Sequence, residues 1–289
     1  MAWNPLRRPT PEEDAAAVVQ LLRQALAEHG VETTLTDGAL EASDGRVFGL
    51  AGLTAAASDV PRRRWRGLAR EHVARLLAAQ EAPPPESYED VQETVHLRLT
   101  HPDYLPLTDV ARPWAGGLVV LPVLDLPDTV EFLSDPDLVA SLGGLERLHE
   151  TGMANLRRLT ADEVVDLDHG VRVSIGGFLN ASRVLAMETL LAQDLGVELP
   201  AHGVLFAIPH RHVVALHVVT GADLVPALQL LAGFAKREHD EPGPISDQVF
   251  LWRGGAVQQV TRTEPDGRTG VHVEGMLAEV MAELGLLEG

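Results

Sequence analysis

Cysteine and long apolar runs are both absent from this sequence. The lack of cysteine excludes disulfide bonds, thiolate zinc sites and thiol nucleophiles, and it is typical of a protein that stays in a reducing compartment. No run approaches the ~18 to 20 uncharged residues that a membrane helix needs, and the N-terminal segment MAWNPLRRPTPEED has no signal-peptide core. We therefore predict a cytoplasmic protein without a membrane span.

Basic residues are also scarce. Lysine and arginine together number 23, against 42 aspartates and glutamates, so the formal net charge is −19. Such a charge repels nucleic-acid backbones and anionic lipid over most of the surface, and we predict no nucleic-acid partner. Lys236 is the only lysine, and this preference for arginine, with abundant alanine, leucine and glycine, is typical of a GC-rich bacterial genome.

Length and composition favour a folded chain with more than one core. The 289 residues are 45% hydrophobic and 22% charged, which is ordinary for globular proteins, and domains usually run ~100 to 200 residues. The segment QEAPPPESYED is the clearest linker, because its prolines hold the chain extended and its acids keep it solvated. We predict an N-terminal lobe over 1–81, a linker over 82–90 and a C-terminal lobe over 91–289.

Hydrophobic periodicity predicts the elements of each lobe. The first lobe reads as a helix, a three-stranded meander with turns at Asp37-Gly38 and Asp44-Gly45, and a second helix that carries Trp65 on its apolar face. After the linker, apolar strands joined by tight turns alternate with single helices. The pattern predicts an α+β fold whose antiparallel sheets are built from hairpins and covered on one side by helices.

The segment HGVLFAIPHRHVVALHVV, residues 202–219, places four histidines in an apolar run. Both halves are apolar on both faces, which predicts two interior strands joined by a turn around His210 and Arg211. Side chains alternate along a strand, so His212 and His217 would point to opposite faces. This segment alone therefore does not predict a three-histidine metal site, and His217 is expected to be a hydrogen-bonded core side chain.

A metal site that uses two of these histidines stays open as an alternative. His210 and His212 would share a face if the strand began before the turn closed, and two imidazoles spaced in this way can reach one zinc ion. The other ligands would come from DLDHG, where Asp166 and Asp168 share a face and His169 lies at the turn. The main interpretation assigns no cofactor.

Arginines mark two candidate binding surfaces. Arg211, at the tip of the apolar hairpin, either pairs with a carboxylate or offers an anion site, and pairing is the favoured interpretation. In PRRRWRGLAREH, Arg63 and Arg66 flank Trp65 and could bind an acidic partner, with the indole flat against it. Trp65 also fits the core-facing side of its helix, and the arginines would then form a solvated face.

Several segments carry a resemblance to a known group of proteins. They are RVFGLAGLTAAASDVPRRRWRGLAREHVARLL, VLDLPDTVEFL with GMANLRRL, and above all NASRVLAMETLLAQDLG, HGVLFAIPHRHVVALHVV and GPISDQVFLW. The chain resembles a group of actinobacterial proteins that are distantly similar to the YtpQ-like family of bacterial proteins of unknown function. The likeness covers most of residues 45–255. It implies a bacterial, cytoplasmic α+β protein, and it carries over no functional residues.

Catalytic signatures are missing from the sequence. It has no GxGxxG after a strand, no GxxxxGK, no HExxH and no GxSxG. The main hypothesis is therefore a protein without enzymatic activity that acts through protein contacts, by docking a sheet face or the arginine-bearing helix, and homo-oligomers remain open. The alternative is a metal-assisted hydrolase or small-ligand binder that uses His210 and His212 with the turn formed by Asp166, Asp168 and His169.

Overall fold

A computed structural model gives the fold of two separate parts of the chain. The residues that it describes are 10–36, 39–42, 47–50, 53–54, 57, 60–81, 85–104, 109–126, 129–241, 243–264 and 268–287. The chain divides into two compact units, residues 1–84 and residues 85–289. No helix in these ranges is both long enough and apolar enough to cross a bilayer.

The first unit contains a helix, a three-stranded sheet and a second helix. Helix α1 spans Pro11–Glu28 and α2 spans Trp65–Glu81. Strands β1 (Thr33–Thr36), β2 (Ala39–Ala42) and β3 (Val47–Gly49) pair antiparallel in that order, which confirms the predicted meander. The two predicted Asp-Gly turns lie outside the described residues. The core contains Leu22, Leu26, Leu40, Phe48, Trp65 and Val73.

The predicted linker is structured at its C-terminal end. Residues 82–84 lie outside the described residues, but helix α3 already spans Tyr88–Val91. The Asp90 carboxylate accepts a hydrogen bond of 2.9 Å from the backbone amide of Ser87, just before the helix. The acids of this segment therefore include a helix-capping group, and the last residues of the predicted linker form the start of a helix.

The second unit begins with a four-stranded antiparallel sheet. Its strands are β4 (Val95–Thr100), β5 (Arg112–Pro113), β6 (Val119–Leu126) and β7 (Thr129–Phe132). Strand β6 pairs with β4 on one side, and with β5 and then β7 on the other. Pro122 lies where the partner changes from β5 to β7, so its missing amide hydrogen breaks no pair of the ladder.

A larger sheet of six antiparallel strands lies at the centre of this unit. Its strands, in spatial order, are β13 (Ala256–Gln259), β12 (Val249–Arg253), β10 (Val204–Ala207), β11 (Val213–Val218), β9 (Val171–Ile175) and β8 (Glu163–Asp166). All four residues of β10 are buried, and β10 pairs with β11 from Val204 to Ala207, which confirms the predicted hairpin. Strands β14 (Thr261–Thr263) and β15 (Thr269–Val271) form a separate small ribbon.

Helices and the first sheet cover both faces of the six-stranded sheet. The remaining helices are α4 (Pro136–Ser141), α5 (Leu145–Leu156), α6 (Met187–Leu190), α7 (Leu224–Glu238) and α8 (Gly275–Glu283). Leu205 and Leu251 pack with residues of α7 and α8, while Phe206 and Phe250 pack on the other face with Leu97 and other residues of the first sheet. The fold is α+β, but the prediction that this sheet is covered on one side is wrong, because its central strands are apolar on both faces.

Candidate functional site

The turn between β10 and β11, residues 208–212, carries three ionisable side chains at the end of two buried strands. Segment 243–246 runs beside it, and the Arg211 amide donates a hydrogen bond of 3.0 Å to the Gly243 carbonyl. A Cβ at Gly243 would lie 2.7 Å from Cδ of Arg211, so a larger residue there would displace the arginine. The neighbouring segment therefore holds the turn and the stem of Arg211 in place.

His212 is a neutral imidazole with both ring nitrogens engaged. Its Nδ1 lies 2.9 Å from the Gly176 carbonyl, so this nitrogen carries the proton and donates. Its Nε2 then accepts a hydrogen bond of 3.0 Å from Nε of Arg211. Burial lowers the pKa of His212. The hydrogen bond to the Gly176 carbonyl opposes this shift, and the positive charge of Arg211 adds to it. The histidine therefore orients the guanidinium.

His210 is buried beside this pair, with 7% of its surface exposed. The backbone amide of His212 donates to its Nδ1 at 3.4 Å, which places the His210 proton on Nε2. Burial lowers the pKa of His210 to about 4, and the neighbouring His212 imidazole and Arg211 guanidinium add to this effect. At neutral pH, His210 is therefore an uncharged hydrogen-bond donor.

Arg211 stacks on an aromatic ring instead of pairing with an acid. Its Cζ lies 4.5 Å from the ring centroid of Phe178, and burial lowers its pKa. None of the ion pairs among the described residues includes Arg211. Within this part of the chain, the prediction that Arg211 pairs with a carboxylate is wrong, because the turn delivers it to Phe178 and His212.

Arg98, on β4, brings a second guanidinium to the turn. The Leu99 amide donates to the Ser182 hydroxyl at 3.0 Å, and the neighbouring Ala181 amide donates to the Arg211 carbonyl at 3.0 Å. Burial, the larger effect, and the positive charge of Arg211 together lower the pKa of Arg98 to about 10. The two guanidinium groups are thus close enough to repel each other.

No described carboxylate offsets this repulsion. The Cζ of Arg98 lies 5.1 Å from the ring centroid of Phe132, and its Nε is buried without a hydrogen-bond partner among the described residues. The ion pairs of the described chain do not include Arg98 either. We call Arg98, His210, Arg211 and His212 the arginine–histidine cluster, and it forms a positive site in a chain of charge −19.

Arg183 shows how the same chain treats a structural arginine. It is 2% exposed, and its guanidinium makes a two-pronged ion pair with Asp194 at 2.7 and 2.8 Å. Gln193, Asn180 and the Ser174 hydroxyl oxygen accept further hydrogen bonds from it, and the Ser174 hydroxyl donates to Asp194 at 2.7 Å. A buried arginine with a structural role is fully paired here, which Arg98 is not.

The ligands of the predicted metal site do not converge. Strand β9 pairs with β11 from Val213 opposite Ile175 to His217 opposite Val171, so the turn that contains Asp166, Asp168 and His169 lies at the His217 end. Five strand residues, roughly 16 Å, separate that turn from His210 and His212. Both ring nitrogens of His212 are also engaged, and no group of three or more metal-ligating side chains occurs among the described residues.

His217 occupies the opposite end of β11, under α7. It is 1% exposed, and its Nε2 lies 3.9 Å from Oδ1 of Asp223. Burial lowers the pKa of His217, and Asp223 and the backbone of Gly170 and His169 oppose this effect, so the expected core position is confirmed. His212 lies before the first residue of β11, so strand alternation does not determine where it points.

Trp65, predicted as a binding residue of the first unit, is a core residue. It is 7% exposed, and its Nε1 donates hydrogen bonds of 2.8 Å to the Ala57 carbonyl and 3.1 Å to the Val60 carbonyl. Its indole therefore has no free polar edge to offer a partner. Arg63 and Arg66 are exposed, and no ion pair within the described ranges includes them.

Replacing Trp65 with alanine is expected to lower the free energy of unfolding of the first unit by about 3–5 kcal/mol, because a large buried ring and two hydrogen bonds are lost. Urea denaturation followed by circular dichroism measures the change. Arg63→Ala, on the exposed surface, is the control and is expected to stay within about 0.5 kcal/mol of wild type. Equal stability of the two variants would contradict the core assignment.

Comparison with known protein families, with curated proteins and with solved structures finds no match to this chain. The resemblance to YtpQ-like proteins therefore stays a prediction. The candidate site rests on the geometry of the arginine–histidine cluster alone.

Proposed function

We propose that the chain is a binding protein for a small anionic ligand and that the arginine–histidine cluster holds the anionic group. The supporting observation is that Arg98 and Arg211 lie near each other in a partly buried site and that neither has an ion-pair partner among the described residues. Two desolvated like charges cost free energy, and a bound anion would offset that cost by supplying the missing counter-charge. The proposal retains the alternative in which His210 and His212 bind a small ligand. Arg98 and Arg211 replace the distant turn of Asp166, Asp168 and His169 as the other binding residues.

The chemistry of the cluster favours binding over catalysis. Guanidinium groups present forked donors that match the oxygens of carboxylates and phosphates, and the aromatic rings of Phe132 and Phe178 pack against the two guanidinium groups. His212 has no free ring nitrogen to act as a base. His210 offers one proton on Nε2 and keeps Nδ1 engaged with the backbone.

Calorimetric titration with inorganic phosphate at constant ionic strength tests the proposal. The wild-type chain is expected to bind, and Arg211→Gln is expected to bind at least about tenfold more weakly, because a charged hydrogen-bond donor is lost. Arg172→Gln is the matched control, since Arg172 lies in the same sheet but pairs with Asp166 at 2.9 Å. Equal affinity of wild type and Arg211→Gln, or no binding by wild type, would overturn the proposal.

Acid is expected to destabilise the second unit through His210. Its folded pKa of about 4 lies below the ordinary value of 6.5, so the unfolded chain binds the proton more readily. Stability is therefore fully present above about pH 6.5 and falls as the pH drops towards 4. Urea denaturation at about pH 7 and about pH 4.5 should show a loss about 1–3 kcal/mol smaller in His210→Gln than in wild type. The same pH-dependence in both proteins would contradict a neutral, buried His210.

A second candidate function is contact with an acidic protein partner through Arg63 and Arg66, in a bacterial cytoplasm. The observation that favours it is the exposure of both side chains at the start of α2 in a strongly acidic chain. Arginines at a helix start oppose the helix dipole, so an acidic partner would stabilise them. The variant with Arg63→Glu and Arg66→Glu is expected to lose partners that wild type recovers in a pull-down. Recovery of the same partners by both proteins would exclude this surface.

A further inference from the structure

We infer that the ligand held by the arginine–histidine cluster is a small phosphate monoester bound as its dianion, an inference that rests on the proposed anion-binding function. The cluster presents two guanidinium charges and two uncharged imidazoles. No described carboxylate lies within ion-pair distance of either arginine, so its net charge is +2. A phosphate monoester carries a charge near −2 at neutral pH, whereas a carboxylate or a sulfonate carries −1.

The number of hydrogen-bond donors also favours phosphate. One forked guanidinium takes one acceptor site on each oxygen of a carboxylate, so the second guanidinium and the Nε2 proton of His210 would have to share the same two oxygens. A phosphate monoester has three terminal oxygens, one for each of these three groups. The Nε of Arg98 is buried and without a partner among the described residues, so the fold leaves this guanidinium uncompensated.

The two neutral histidines also fit a dianionic ligand. Because Arg211 donates to Nε2 of His212, a second proton on that ring would break the contact that orients the guanidinium. His210 lies among positive charges and adds a donor without adding a further charge. A dianion with three acceptor oxygens therefore complements the cluster in charge and in donors, while a monoanion leaves one positive charge unmatched.

Three probe ligands distinguish the effect of ligand charge from the effect of the number of ligand oxygens. Titration calorimetry of the full chain at about pH 7.5 would compare methyl phosphate with methanesulfonate, which has three oxygens and one charge, and with acetate, which has two oxygens and one charge. Methyl phosphate is expected to bind about tenfold or more tightly than either of the others. Arg98→Met is expected to remove this preference, and Arg172→Gln to retain it.

The outcomes distinguish this inference from the function on which it rests. Equal or tighter binding of methanesulfonate or acetate would overturn the phosphate assignment and leave anion binding in place. Failure of all three probes to bind would overturn both. Free phosphoserine is expected to bind at least as tightly as a peptide that carries it. A tighter peptide would place the phosphate on a partner protein and overturn the small-molecule assignment.

Discussion

Replacement of Asp194 with asparagine is expected to lower the free energy of unfolding of the second unit by about 3–5 kcal/mol. The carboxylate is the counter-charge of Arg183, and the side chains of the two residues are 3% and 2% exposed. Asparagine keeps the shape of the side chain but leaves the guanidinium buried without a negative partner. The Ser174 hydroxyl would lose a charged acceptor at 2.7 Å as well.

Urea denaturation of Asp194→Asn against Asp166→Asn tests this prediction. Asp166 also pairs with an arginine at 2.9 Å, but its side chain is 82% exposed, so the control is expected to change stability by less than about 1 kcal/mol. The double variant with Arg183→Met and Asp194→Leu, which removes both charges, is expected to recover most of the loss. A similar small effect of both single variants would show that the buried ion pair does not stabilise the fold.

Replacement of Arg98 with methionine is expected to raise the free energy of unfolding of the ligand-free chain by about 1 kcal/mol or more. Methionine keeps the apolar stem against Phe132 and removes a desolvated charge that Arg211 repels. An arginine whose removal stabilises the fold is retained for a reason other than stability, which fits a binding role.

Arg183→Met is the matched comparison for this experiment, because it makes the same substitution at a paired arginine. It is expected to cost about 3–5 kcal/mol, since Asp194 is then left buried and unpaired. Urea midpoints and slopes for both variants give the two free energies. Loss of stability in Arg98→Met comparable to that in Arg183→Met would show that Arg98 is also a structural residue.

The hairpin at the centre of the second unit could be predicted from the sequence because its signal is local. Two apolar segments joined by PHR indicate interior strands, and β10 and β11 pair as that pattern predicts. The helix assigned to Trp65 likewise follows from apolar residues at helical spacing, which is the reason that Trp65 is buried.

Only part of the candidate site could be predicted from the sequence. His210, Arg211 and His212 are adjacent in the chain, but Arg98 lies more than a hundred positions earlier, on a strand of the other sheet. The available signal was one arginine inside the apolar strand VHLRLT, where a charge demands a partner. Which partner it meets depends on sheet packing, which the sequence pattern does not encode.

The ligands predicted for the metal site do not converge for a related reason. Residue spacing identified His210 and His212 as neighbours and the turn of Asp166, Asp168 and His169 as a donor group. The antiparallel register of β9 and β11 then places the two groups at opposite ends of the sheet. Register is a long-range property that spacing within each strand does not determine.

Urea denaturation of wild type and Arg98→Met, each with and without inorganic phosphate at matched ionic strength, bears directly on the role of the arginine–histidine cluster. Phosphate at about 100 times its dissociation constant is expected to stabilise wild type by about 2.7 kcal/mol and to leave the variant unchanged. The order of stability should therefore reverse, with the variant more stable in the absence of phosphate and wild type more stable in its presence. Equal stabilisation of both proteins, or of neither, would contradict an anion site that contains Arg98.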